Sequence, residues 1–138
     1  MNIDLETLRG FFRSAPFMAD LGVEPTAVEP GQVWTALAVQ PRHLQHTGVV
    51  HAGVIAALAD HSMGAAAQTM APQGRWVLTA EFKTSLLRGA AAERLECEAW
   101  VVKPGRSLSF TEASVYAVAG GERKLVARAN GTMAITAA

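Results

Sequence analysis

Two hydrophobic periods divide the chain. Leu5, Leu8, Phe11 and Phe12 recur at helical spacing and predict a short amphipathic helix over 4–13, ended before Pro16. Residues 21–28 and 32–39 read as two strands, with Glu29-Pro30-Gly31 as the hairpin turn between them. A polar loop over 41–48 leads into a helix over 52–70 that is apolar on nearly every face, and Pro72-Gln73-Gly74 stops it. Alternation then takes over. Along 77–87, Leu78, Ala80, Phe82, Thr84 and Leu86 are expected on one side, and Thr79, Glu81, Lys83 and Ser85 on the other. Strands over 95–103, 107–118 and 124–135 follow, turned at Pro104-Gly105-Arg106 and at Gly120-Gly121.

The order is helix, two strands, one long helix, four strands. A sheet with a single long helix available to cover it predicts an α+β layer, the helix packed against a curved antiparallel sheet. Neither repeat nor linker interrupts the pattern, so residues 1–138 are expected to form one domain.

The long helix carries an anomaly. Asp60 sits among Ala56, Ala57, Leu58, Ala59, Met63 and Gly64, and a buried carboxylate is costly unless it is paired or held for use. At the other end of that helix, the first backbone N–H groups, near His51, Ala52 and Gly53, are unpaired and suit an anion or a developing oxyanion. Eight residues at ~1.5 Å rise separate Ala52 from Asp60 by roughly 12 Å, whereas groups acting on one carbonyl must each lie within ~3 Å of the reacting atoms. If both act, they come from different copies of the chain. A homodimer is then the smallest active unit.

Composition narrows the partners. Formal net charge is zero and 17% of residues are charged, which argues against a nucleic-acid surface. Cys97 is the one cysteine, so an intrachain disulfide is excluded and a reducing cytoplasm is expected. The acidic opening Asp4-Leu5-Glu6 does not read as a signal peptide, and the apolar run 53–71 is broken by Asp60, His61 and Ser62, so no membrane span is expected. His43, His46, His51 and His61 lack metal-ligand spacing, and no metal is expected.

The element order together with His51-Ala52-Gly53, six intervening residues and Asp60 resembles the hotdog-fold acyl-CoA thioesterases, specifically their phenylacetate-pathway (PaaI-like) branch. The motif of that branch is His-Gly-Gly, an apolar run and Leu-x-Asp, with Asn or Gln six residues before the His. Gln45, His51, Gly53 and Leu58-Ala59-Asp60 match it. The resemblance implies a long helix wrapped by five to six curved strands, a homodimer or homotetramer, and hydrolysis of an aryl- or medium-chain acyl-CoA. Coenzyme A belongs to the substrate, and no cofactor is implied. Asp60 is implied as nucleophile or general base, and Ala52 N–H of a second subunit as oxyanion donor. Gln45 and His51 are implied near the thioester, and Thr79 beside Asp60 or its water.

One position departs from the motif. Ala52 replaces its first glycine, keeping the N–H while its methyl group narrows the approach or implies a different acyl pose. Lys103, Gly105, Arg106 and Ser107 resemble the turn that holds the coenzyme A nucleotide, with Lys83 and Arg88 as further cations.

Two other functions compete. A hotdog hydratase or dehydratase pairs its acid with a His-Phe-Pro loop, which 41–48 lacks. A non-catalytic acyl-CoA sensor carries an added helix-turn-helix, for which the roughly fifteen residues before the first strand leave no room. Retention of Asp60 argues against a bare sensor.

Overall fold

A computed structural model describes residues 2–137. Helix α1 (Leu5–Ser14) starts where Asp4 accepts the Thr7 N–H at 2.8 Å, and it buries Leu8 and Phe12. A second short helix, α2 (Pro16–Leu21), follows at once. Pro16 stands in its first turn, where a missing N–H costs nothing, and Gly22 ends it at φ +86°. This helix takes Leu21 from the strand expected to begin there.

Strands β1 (Val23–Glu29) and β2 (Gln32–Ala38) form the expected hairpin. Helix α3 (Ala52–Gln68) is followed by β3 (Val77–Leu86), β4 (Arg94–Lys103), β5 (Leu108–Ala119) and β6 (Glu122–Ile135). All pair antiparallel in one six-stranded sheet, in the order β1-β2-β4-β5-β6-β3.

Helix α3 lies across strands β2 to β6. Ile55, Leu58, Ala59, Met63 and Ala66 are buried there with Val33, Leu37, Leu95, Ala113, Val115, Ala127 and Met133 from the sheet. Each fully buried Leu or Met contributes roughly 1.5–3 kcal/mol of apolar transfer. The alanines let the helix come close. On β6, a Cβ at Gly131 would sit 3.2 Å from Phe82 Cβ and 3.3 Å from Met63 Cε, so this position keeps the helix and β3 together.

Both ends of α3 are tied down. Ahead of it, His43 is buried: its Nδ1 accepts the Gln40 N–H and its Nε2–H donates to the Leu21 carbonyl, each at 2.9 Å. The His43 carbonyl in turn accepts the His51 N–H at 2.9 Å. At the far end, Gln68 Oε1 accepts the Val77 N–H at 3.0 Å and its Nε2 donates to the Arg75 carbonyl at 2.9 Å. One side chain thus stitches the end of the helix to the start of β3.

Strand β3 sits at the edge of the sheet, bonded to β6 alone. A bulge shifts its register between Thr79 and Glu81. Strict alternation therefore fails: Thr79 faces α3 along with Phe82, Thr84 and Leu86, while Leu78 turns outward with Glu81, Lys83 and Ser85. An extra residue in a strand reverses the facing of everything beyond it.

Candidate active site

Asp60 is half-buried rather than enclosed in the core. Thr79 Oγ1 donates to Asp60 Oδ1 at 2.7 Å and also lies 3.4 Å from Met133 Sδ. This holds one carboxylate oxygen; among the described residues the other has no hydrogen-bond partner, and Asp60 lines a cavity. The cavity, about 310 Å³, lies between α1, the second half of α3 and the start of β3. Asp60, His61, Gly64, Ala65 and Gln68 line it from α3, at spacings that fall on one side of the helix. Phe11, Phe12 and Trp76 supply much of the remaining wall.

The start of α3 opens onto a different cavity, lined by Gln45, His46, His51, Ala52, Ile55 and Leu86 to Ala90. Its backbone donors are fewer than expected. His51 N–H goes to His43, Gly53 N–H goes to His51 Nδ1 at 2.8 Å, and the Val54 and Ile55 N–H groups both meet the His51 carbonyl. Among the described residues Ala52 N–H has no hydrogen-bond partner. At the start of this helix one N–H, that of Ala52, therefore stays available to an anion or an oxyanion, at the positive end of the helix dipole.

His51 acts as the helix cap. Because Nδ1 accepts a hydrogen bond, the proton of the neutral ring resides on Nε2. Gly53 has a specific reason to be glycine: a Cβ there would lie 3.0 Å from His51 Nδ1 and 3.3 Å from Cε1, crowding the cap. Gln45, which lines this cavity, uses its side-chain oxygen to accept the Thr47 N–H within the loop, and among the described residues its amide NH2 has no hydrogen-bond partner.

The structure thus joins Asp60 to Thr79, and Gln45 to His51 and Ala52, but keeps the two groups in separate cavities of one chain. The turn at Lys103, Gly105, Arg106 and Ser107 borders neither cavity. Gly105 is required by space, since a Cβ would lie 2.1 Å from the Leu108 carbonyl oxygen. The Ser107 carbonyl accepts the Ile135 N–H at 2.9 Å, which places the turn at the sheet end where Ile135 pairs with Val77. Arg88, by contrast, lines the Ala52 cavity directly.

Cys97 takes no part. Burial pushes its thiol up to about 12, against the opposing hydrogen bonds of Ser62 and Thr35, so it is not a nucleophile at neutral pH. Among the described residues no cluster of three or more His, Cys, Asp or Glu side chains is arranged to hold a metal ion. Nor is any described helix long and apolar enough to cross a membrane.

A family model for the thioesterase superfamily matches residues 47–124, a span that runs from the loop before Ala52 through β5. The chain belongs to the thioesterase superfamily. A thioesterase family protein from Silicibacter pomeroyi is 34% identical, with a TM-score of 0.92 over 95% of this chain and 96% of that one. The phenylacetic acid degradation protein PaaI of Thermus thermophilus, as a mutant, is 30% identical, with a TM-score of 0.74 over 86% and 97%. PaaI from the phenylacetic acid degradation operon of E. coli is 17% identical, with a TM-score of 0.85 over 96% and 92%, a likeness of fold. Among curated proteins none matches. The hotdog fold, a long helix wrapped by an antiparallel sheet, is therefore that of this chain.

Four features of the site were not read from the sequence. Gln68 looks like one more polar residue at a helix end, and its value lies in reaching the start of β3. His43 gives no local sign of its burial. Phe11 and Phe12 read as a core stripe, yet they wall the carboxylate cavity. His61 signals only through its place beside Asp60.

Proposed function

We propose that this thioesterase hydrolyses acyl-CoA, taking aryl- or medium-chain acyl groups, at a site built by two copies of the chain. The observation that carries the reading is the separation of the two half-sites along one edge strand. The Asp60 cavity borders β3 at Val77 to Thr79, and the Ala52 cavity borders its other end at Leu86 to Arg88.

Strand β3 offers a free edge, and the exposed Phe82, Leu86 and Leu87 lie along it. Pairing β3 with its own copy about a two-fold axis at Phe82 would set Lys83 opposite Glu81 of the second subunit, and keep both long helices on one side of the combined sheet. The two cavities then meet. Asp60 of one subunit and Ala52 N–H of the other face a common space, which the ~12 Å along one helix forbids within a chain.

In the hydrolysis, the thioester carbonyl oxygen rests against Ala52 N–H, where negative charge develops as the carbonyl is attacked. Asp60, held by Thr79, serves in one of two ways. As base it takes a proton from water, whose oxygen bonds to the acyl carbon; the tetrahedral intermediate collapses and breaks the C–S bond. The coenzyme A thiolate then leaves and takes up a proton. As nucleophile Asp60 itself bonds to the acyl carbon, expels the thiolate and forms a mixed anhydride that water cleaves. Single turnover in ¹⁸O-water separates the routes: label recovered in Asp60 marks the anhydride.

The nucleotide end of coenzyme A is assigned to the basic groups at this end of the combined site, the turn Lys103 to Ser107 and Arg88 of the second subunit. On the outer sheet face, Leu78 and Leu108 flank Ala134 and lie near exposed Phe110, an apolar patch on which a second dimer would complete a tetramer. The test is direct. Thiol release from a panel of acyl-CoAs is followed with a thiol-reactive dye, and purified protein that releases no coenzyme A from any of them refutes the reading.

A further inference from the structure

The Asp60 cavity continues past the carboxylate into a chamber whose walls are largely carbon. Phe11 meets Trp76 edge to face with centroids 5.6 Å apart, and Phe12 meets His61 in the same way at 4.4 Å. Most polar side chains bordering this chamber are already committed. Ser14 Oγ donates to the Phe11 carbonyl at 2.8 Å, both ends of the Gln68 amide are bonded, and Thr79 and Asp60 hold each other.

His61 is the exception. Its ring packs on Phe12 and lines the chamber, yet among the described residues neither ring nitrogen has a hydrogen-bond partner. Burial holds its pKa below the ordinary histidine value, with the neighbouring Asp60 charge opposing the shift, so the ring is neutral at pH 7. A neutral imidazole carries one donor and one acceptor, and here both are available to a group bound in the chamber. As the next residue after Asp60, His61 points about 100° around the helix axis from the carboxylate, so a partner of its ring lies away from the scissile carbonyl.

We propose that His61 is a specificity-determining residue that hydrogen-bonds an oxygen substituent, a hydroxyl or keto group, carried on the acyl group beyond the thioester carbonyl. This rests on the reading of the cavity as the acyl site. The chamber then selects twice: the aromatic walls favour an apolar acyl body, and His61 favours one that carries oxygen at a defined place. A deoxy analogue would leave the imidazole unpaired in the complex, which is how a hydrogen-bonding site rejects a ligand lacking its partner group.

The test reads binding independently of turnover. Non-hydrolysable coenzyme A thioethers are offered in an aryl and an alkyl series, each with and without a hydroxyl on the tail, and titrated calorimetrically into wild type, His61→Phe and His61→Gln. Wild type is expected to prefer the hydroxylated member of at least one series by roughly tenfold. His61→Phe should bring that ratio close to one while leaving affinity for the deoxy member nearly unchanged, and His61→Gln should keep part of the preference. The series that shows the preference tells whether the oxygen is carried on a ring or a chain. A wild-type ratio near one in both series, or equal weakening of both members in His61→Phe, overturns the assignment. Selective binding with no thioester hydrolysis would remove the hydrolytic reading and leave His61 standing; hydrolysis with a ratio of one would remove His61 alone.

Discussion

Thr79 donates its hydroxyl hydrogen to Asp60 at 2.7 Å because β3 is bulged immediately after Thr79. In an unbroken strand sharing the facing of Phe82, Thr79 would point away from α3. The bulge turns an edge-strand residue toward the carboxylate, and bulges beside functional groups commonly re-aim a side chain in this way. Asp60→Asn is expected to keep the fold and lower kcat by about 10²-fold or more, and Thr79→Val by about tenfold, with Thr79→Ser close to wild type. Steady-state thiol release measures all three. Wild-type turnover in Asp60→Asn would remove Asp60 from the chemistry.

The proposed two-chain site predicts complementation. Chains carrying Asp60→Asn are mixed with chains carrying Ala52→Trp, each inactive alone. Every heterodimer should regain one working site, which takes Asp60 from the second chain and Ala52 N–H from the first. Heterodimers that form, as seen by native mass spectrometry, yet stay inactive would mean that each chain works by itself.

Gly53→Ala should displace the His51 ring, because the added Cβ falls 3.0 Å from Nδ1. Losing this cap is expected to cost about 1 kcal/mol of stability. It should also lower kcat, since the free Ala52 N–H shifts with the first turn. Denaturant unfolding and thiol release together check this. Unchanged stability would show that the ring moves aside freely.

Gln68→Leu removes both bonds that fix Arg75 and Val77 to the end of α3. Thr79 lies two residues further on, so this variant is expected to lose about tenfold in kcat with a smaller change in KM. A variant that raises KM alone would place Gln68 against the acyl group instead.

The His61 pKa is lowered mainly by burial. Its folded value lies under the unfolded value of about 6.5, so below pH 6.5 the unfolded chain binds the proton more readily and stability falls with pH until the folded value is passed. Above that window the group contributes no pH dependence. Between pH 7.5 and 5.5, wild type should therefore lose more thermal stability than His61→Phe. Parallel melting-temperature profiles for the two proteins would contradict this.

Local pattern determined much of this protein. The apolar run beginning at Ala52, the stop at Pro72-Gln73-Gly74, the Glu29-Pro30-Gly31 hairpin and the strands from Val77 onward are all set by side-chain period and turn chemistry within a few residues, although the helix itself ends at Gln68, two residues before the 70 that the pattern predicts. The distance between Ala52 and Asp60 needed only helical rise, and it already argued for two chains at one site. Other features depended on long-range registration. The bulge after Thr79 is defined by what β6 places opposite, so the facing of Thr79 was misread from alternation alone. Which N–H stays free at the start of α3 depends on a carbonyl of buried His43 and on the orientation of the His51 ring. Gln68 reaches β3 across the stop at Pro72, and the turn at Arg106 lies outside both cavities because strand pairing carries it to its sheet end. Hydrogen-bond partners far apart in sequence leave no local trace, and only tertiary packing chooses among them.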